Sequence, residues 1–267
     1  MRRVALHRPE QIFSRRHVPS WLMLSFASGC VNAIAFKACE RFVTHVTGTV
    51  TQLGVQVAHL DVLADFAIVI VCFILGSMTA ALMINGRAHR GKRPWYTLPL
   101  LIVAATTATV GIAGRSGLFG EFGGVVDEPA DFVLLSMLSF GSGLQNAAVA
   151  TSTGLLVRTT HLTGPASDLG MHLVDLVYTS GAERLSAKRH AFLRAGKVAS
   201  FAFGAIGGVM LARELEYLAF LVPAAIVVVA TALSFDPARV REVLVPESAR
   251  RPHADRHSQA DDVRLGA

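Results

Sequence analysis

The feature that most constrains this chain is a five-residue box that it writes twice. Thr44-His45-Val46-Thr47-Gly48 returns as Thr160-His161-Leu162-Thr163-Gly164, and six of the eleven positions starting at Thr44 and at Thr160 are identical. His45 and His161 stand 116 positions apart in a chain of 267, so half of the chain is duplicated and no short solenoid period is involved. Other positions follow the same relation. Ser28-Gly29-Cys30-Val31-Asn32-Ala33 pairs with Ser142-Gly143-Leu144-Gln145-Asn146-Ala147, and Phe73-Ile74-Leu75-Gly76 pairs with Phe201-Ala202-Phe203-Gly204.

What surrounds the boxes decides the class. Hydrophobic residues make up 52% of the chain and charged residues 16%, where a soluble domain carries about 25% charged. The charges are clustered, and the windows between them are long enough for bilayer-spanning helices, which need roughly 17–25 mostly apolar residues. The net charge of +6 comes from Arg-rich segments beside those windows, a topogenic pattern. No basic face with interleaved aromatic residues suggests nucleic acid as a partner. Cys30, Cys39 and Cys72 show no metal-ligand spacing, and Cys30 and Cys72 lie in apolar runs where a thiol packs as a small hydrophobe. Neither a cofactor nor a metal is expected.

Taken in order, residues 1–19 form a basic N-terminus with five arginines. Ala27-Ser28-Gly29-Cys30 resembles a lipoprotein cleavage site, but the apolar run before it is short, which favours a retained first span from Ser20 to Phe36. Residues 20–114 make a first membrane repeat, with further spans at Phe66–Gly86 and Thr97–Gly114, and a basic loop between them. Residues 115–131 form an acidic external loop. Residues 132–235 make a second repeat with spans at Phe132–Thr151, Ala195–Ala212 and Tyr217–Phe235. Residues 236–267 read as a disordered cytoplasmic tail.

The segments 44–60 and 160–181 are uncharged or mixed, and they either cross the bilayer or do not. If they do not, six spans place every basic segment (1–19, 87–93, 184–194 and 239–251) on the cytoplasmic side; eight spans would put 87–93 outside. The expectation is therefore an all-α integral membrane protein of six transmembrane helices. Each half holds three spans and one extra non-spanning helix, re-entrant or interfacial. An odd number of spans per half makes the halves inverted repeats, an architecture recurrent in secondary transporters.

Read as helices, the two segments share one plan. Val50, Leu53, Val57 and Leu60 form an apolar stripe in the first, and Ala166, Leu169, Leu173 and Leu176 in the second. The opposite faces carry Gln52, Gln56 and His59, and Asp168, His172 and Asp175, the latter trio read as a solvated polar face. Gly48 and Gly164 are expected just before each helix, with Thr44, Thr47, Thr160 and Thr163 supplying caps. Irregular backbone at membrane depth is tolerated only where protein or a water-filled cavity satisfies it. The candidate substrate-binding set is therefore Asn32, Thr44, His45, Thr47, Gly48, Asn146, Thr160, His161, Thr163 and Gly164, the two Asn serving either as contacts or as interhelical glue. His45 and His161 are candidates for proton relay.

The Asn-bearing Gly-rich first span followed by a Thr-His-x-Thr-Gly box, with its Leu-Gln-Asn-Ala and Thr-Thr-His-Leu-Thr-Gly echoes, resembles the YoaK family of bacterial inner-membrane proteins. The resemblance covers Trp21 to Phe235. It implies a multi-pass bacterial inner (plasma) membrane protein of unknown function and carries over no site residues. Pro165 stands where the first copy has Thr49, which suits a helix start.

No Ser/His/Asp arrangement, phosphate loop or dinucleotide fingerprint supports an enzyme. The leading expectation is a small-solute transporter or channel with its site between the repeats and both termini cytoplasmic. The alternative is a non-transporting membrane scaffold or regulator. The expected partners are the lipid bilayer and an unknown small solute, with homo-oligomerisation left open. Apart from Lys197 at an end, the spans lack ionisable groups, which favours a neutral or weakly ionised solute, or an ion held by hydroxyls and carbonyls.

Overall fold

The computed structural model describes residues 5–55, 60–124 and 129–235. Among them helix is the only regular secondary structure, with no strand. The expected tail (236–267), part of the acidic loop (125–128) and the Gln56, Val57 and His59 positions lie outside the described residues. A short α1 (Pro9–Ile12) leads into α2 (Val18–Cys39); α3 (Val46–Val55) and α4 (Leu60–Ala81) follow. A π-helical turn (Leu82–Gly86) joins α4 to α5 (Arg87–His89), then come α6 (Thr97–Arg115), α7 (Pro129–Ser152) and α8 (Thr163–Tyr178). Last are α9 (Gly181–Leu215), a 3-10 segment (Glu216–Phe220) and α10 (Leu221–Ser234).

Among the described residues, five helical stretches are long and apolar enough to cross a membrane: Val18–Cys39, Phe66–His89, Thr97–Arg115, Ala130–Ser152 and Gly181–Ser234. The fifth is a 54-residue run comprising α9, the 3-10 segment and α10. At 35 residues, α9 absorbs the basic stretch 184–194 that precedes the expected fifth span. Large apolar side chains point outward along these stretches, among them Val71, Ile74 and Met78 on α4, Leu82 at the start of the π-helical turn, and Phe203, Ile206 and Met210 on α9. Such a surface suits lipid.

Two helix pairs form the centre, α2 against α9 and α4 against α7. Glycines set how closely each pair approaches. A Cβ on Gly29 would lie 2.1 Å from the Phe201 carbonyl oxygen, and one on Gly204 would lie 2.1 Å from that of Phe26. In the other pair a Cβ on Gly143 would meet the Phe73 oxygen at 2.0 Å, and one on Gly76 the Phe140 oxygen at 2.0 Å. The four glycines and four phenylalanines are the positions the duplication relates. Small residues that let backbones touch hold helices together where no hydrophobic drive between them exists.

Two buried clusters mark opposite ends. One gathers Trp21, Leu24, Ile84, Tyr96, Leu100, Val149, Leu193 and Phe235. There His17 shares a hydrogen bond with Ser234 at 2.9 Å, Thr97 donates to the Phe235 carbonyl at 2.8 Å, and Phe13 meets His190. The other gathers Ala38, Cys39, Val43, Val69, Val110, Leu134, Ala212 and Phe220. There Tyr217 donates to the Phe119 carbonyl at 3.0 Å, and the Gly123 amide to that of Ala38. The basic segments around Arg15, Arg87 and Arg189 therefore share the first end, and the Gly-rich 116–124 loop the second.

Candidate functional site

Each box follows a long helix and folds back along it. Asn32 lies seven residues before α2 ends at Cys39, and its Oδ1 accepts from the Thr44 amide at 3.2 Å and the Thr44 hydroxyl at 3.0 Å. Gln145 lies seven residues before α7 ends at Ser152, and its Nε2 is 3.2 Å from the Thr159 hydroxyl and 2.9 Å from that of Ser28. At 1.5 Å per helical residue, each box is carried about 10 Å inward from its helix end. Because α2 and α7 end at opposite ends of the bundle, the two boxes approach each other.

They meet at a cavity of about 190 Å³ lined by Thr44, His45, Val46, Thr47 and Gly48 from one copy and Thr160, His161, Leu162 and Thr163 from the other. Seven of the ten expected site residues thus line one space. Asn32 holds the first box in place through Thr44. Gly164 is not part of the lining, and Asn146 is buried with its Oδ1 unpartnered among the described residues. Thr160 Oγ1 is also buried and unpartnered, so the bond that Asn32 makes to Thr44 has no counterpart in the second half. A larger depression, about 230 Å³, lies among Phe13, Val18, Pro19 and Phe192, with Arg15 and Arg189 beside it. It includes no residue of either box.

Both short helices start at the cavity, α3 at Val46 and α8 at Thr163. The glycines therefore sit inside the helices and do not precede them, and the expected capping fails for a simple reason. The box threonines miss the N-cap position: Thr44 stands two residues before α3 and donates to Asn32, and the N-cap of α8 is Leu162, which has no side-chain acceptor. First-turn amides at both starts remain as donors toward the cavity.

The expected solvated face of α8 is corrected in part. Asp168 forms an ion pair with Arg194 of α9 at 3.1 Å, and the His172 ring lies 5.0 Å from that of His190. Meanwhile Met171, Leu173, Val174, Val177 and Tyr178 point outward. Asp168 and His172 turn toward α9, Asp175 stays exposed, and the large apolar side chains turn away, an arrangement that suits lipid as the outer solvent. In α3 Val50 is likewise exposed, and Thr49 is the buried side chain.

The imidazoles are the titratable groups of the lining. His45 packs against Phe42 and stacks on Phe201 of α9. Burial lowers its affinity for a proton, and the charge of His161 lowers it further. His161 is shifted the same way by burial, then by Arg158, then by Lys197. Sequence reasoning passed over Gln145, Arg158, Arg194 and Phe201. Of these, Gln145 alone carried a signal, as a second amide beside Asn146 in an apolar span.

These elements define a helical protein of the membrane type whose two duplicated boxes close on one polar cavity. The chain belongs to the family described as "Protein of unknown function (DUF1275)", whose model matches residues 20–233. The resemblance carried by the paired boxes is thereby borne out. No curated protein and no solved structure matches the chain.

Proposed function

We propose that this protein is a transporter or channel for a small solute, with its site in the cavity between the boxes. The observation that carries the reading is that two boxes 116 positions apart line the same 190 Å³ space, reached from opposite ends of the bundle. Paired non-spanning segments in inverted halves are the usual mark of a translocation site. The reciprocal glycine contacts, Gly29 with Phe201 and Gly143 with Phe73, support a pseudo-two-fold axis relating two three-helix repeats. On this reading α2, α4, α6, α7, α9 and α10 make six crossings, and α3 and α8 re-enter the membrane without crossing it. The shared end of the segments around Arg15, Arg87 and Arg189 supports a cytoplasmic N-terminus and C-terminus in a bacterial inner membrane.

The test is solute flux into phosphatidylethanolamine/phosphatidylglycerol vesicles carrying the full chain. Flux that is present in wild type and lost in a combined Asn32→Ala, His45→Ala, Asn146→Ala variant is the expected result. Absence of flux across a broad solute panel, with correctly folded protein in the vesicles, would favour the scaffold reading.

A further inference from the structure

Lys197 is read from the sequence as the end residue of a span, where a lysine ordinarily snorkels to water. The structure places it elsewhere. Lys197 is 0% exposed, and its Nζ has no hydrogen-bond partner among the described residues. An ammonium in that position is expensive unless something compensates it. The nearby carboxylate, Asp168, is engaged by Arg194 at 3.1 Å, and Arg194 also donates to the Leu156 carbonyl at 2.9 Å. Arg158 adds a further cation on the chain that leads into the second box. Lys197 is not itself part of the cavity lining, but it lies about one helical turn after Arg194, which reaches Asp168 of α8 and the Leu156 carbonyl, and one turn before Phe201, which stacks on the lining residue His45.

The cavity itself has the matching chemistry. Among the described residues no carboxylate lines it. Two helices of ten and sixteen residues begin at it, with free first-turn amides and the positive ends of their dipoles. The Thr160 hydroxyl, buried and without a partner among the described residues, is a donor in waiting. Helix starts alone would not specify a ligand, but the lining adds Thr160, buried and without a partner among the described residues, and behind the lining lies Lys197, an ammonium with no acceptor among them. The volume, about 190 Å³, lies below the roughly 300–1,000 Å³ of sites for drug-sized ligands.

We propose that the cavity between the boxes takes a small monovalent oxyanion of the short-chain carboxylate class, with Lys197 as its buried counter-charge and Thr160 and the α3 and α8 amide ends as its hydrogen-bond donors. This rests on the placement of the site under the transport reading and narrows what the sequence favoured, a neutral or weakly ionised solute or an ion held by hydroxyls and carbonyls. A neutral molecule would leave Lys197 uncompensated.

The experiment measures binding and flux separately on the full-length protein. Thermal stabilisation of detergent-purified protein is titrated with sodium formate, sodium acetate and sodium lactate, and in parallel with formamide, acetamide and lactamide, against a sodium chloride baseline. The expected result is stabilisation by at least one carboxylate and by none of the amides. In Lys197→Met that affinity falls about tenfold or more, the scale of one nearby counter-charge lost from a partly buried site, and Lys197→Arg retains part of it. Lys197→Met removes an unpaired buried charge, so the fold should tolerate it. If Lys197→Met fails to fold, Thr160→Val provides the same comparison. Equal stabilisation by acid and amide, or unchanged carboxylate affinity in both variants, would overturn the proposal. The vesicle assay separates the two readings. Carboxylate binding without flux would sink transport and leave the anion site standing; flux of the amides alone would do the reverse.

Discussion

The glycine contacts between α4 and α7 yield the sharpest mechanical prediction. In Gly143→Ala the new Cβ would sit 2.0 Å from the Phe73 carbonyl oxygen and 2.8 Å from its carbon. A comfortable carbon–oxygen contact needs about 3.3 Å, so the helices must part by roughly 1.3 Å at that point. A Cβ has no rotamer to adopt, and the obstacle is backbone, so no local adjustment relieves it. Overpacking by one methyl costs about 1–3 kcal/mol in a packed core. A radial gap of about 0.5–1 Å also forfeits a quarter to a half of each contact's dispersion well along the pair. The loss should therefore reach the upper part of that range. Gly141→Ala supplies the control on the same helix, because a Cβ there has nothing within 4 Å. Replacing a helical Gly by Ala gains up to about 1 kcal/mol, so Gly141→Ala should be neutral or stabilising. Thermal unfolding of the detergent-solubilised protein, read by loss of the monodisperse chromatographic peak, compares the two. Equal stability of Gly143→Ala and Gly141→Ala would refute the close approach. Gly29→Ala, meeting the Phe201 oxygen at 2.1 Å, should lose as much as Gly143→Ala if the two helix pairs are equivalent.

Asn32→Ala should destabilise the protein by about 1–3 kcal/mol, because it strands the buried Thr44 amide and hydroxyl. Asn146→Ala removes an oxygen with no partner and should cost less in the same unfolding assay. The proton affinities of His45 and His161 are both lowered by the fold, so the unfolded chain binds more protons below its ordinary value of 6.5. Stability from these groups is therefore complete above about 6.5 and lost as pH falls through the lower folded values. His45→Gln and His161→Gln should each flatten that acid-side slope, and a slope unchanged in both would contradict the assignment. In ring-labelled protein followed by NMR, Arg158→Gln should raise the His161 midpoint by removing a neighbouring charge.

Much of the architecture was legible because the bilayer imposes it. Uncharged windows at Trp21, Phe66, Thr97 and Phe132 could be little else than long apolar helices, and the repeated Thr-His-x-Thr-Gly box disclosed the duplication without any structure. Less visible was the sense in which α8 turns. Asp168, His172 and Asp175 look like a water-facing stripe until Arg194 and His190 of α9 are placed beside them, and spacing within one helix cannot reveal a partner 26 residues on. Lys197 misled for a similar reason. A lysine two residues into an apolar run normally reaches water, but here the basic stretch before it continues as helix α9, so the ammonium stays within the packed bundle. Nor could the pattern say that the two boxes face each other, since duplication would preserve two separate connectors equally well.

The most direct test of the account introduces single cysteines at Thr47 and, separately, at Thr163 in a chain with Cys30, Cys39 and Cys72 replaced, and follows solute flux in vesicles before and after methanethiosulfonate labelling. Both positions line the same small cavity, so modification of either one should stop flux on its own. Flux that continues unchanged after complete labelling at both positions would mean that the solute does not pass between the boxes.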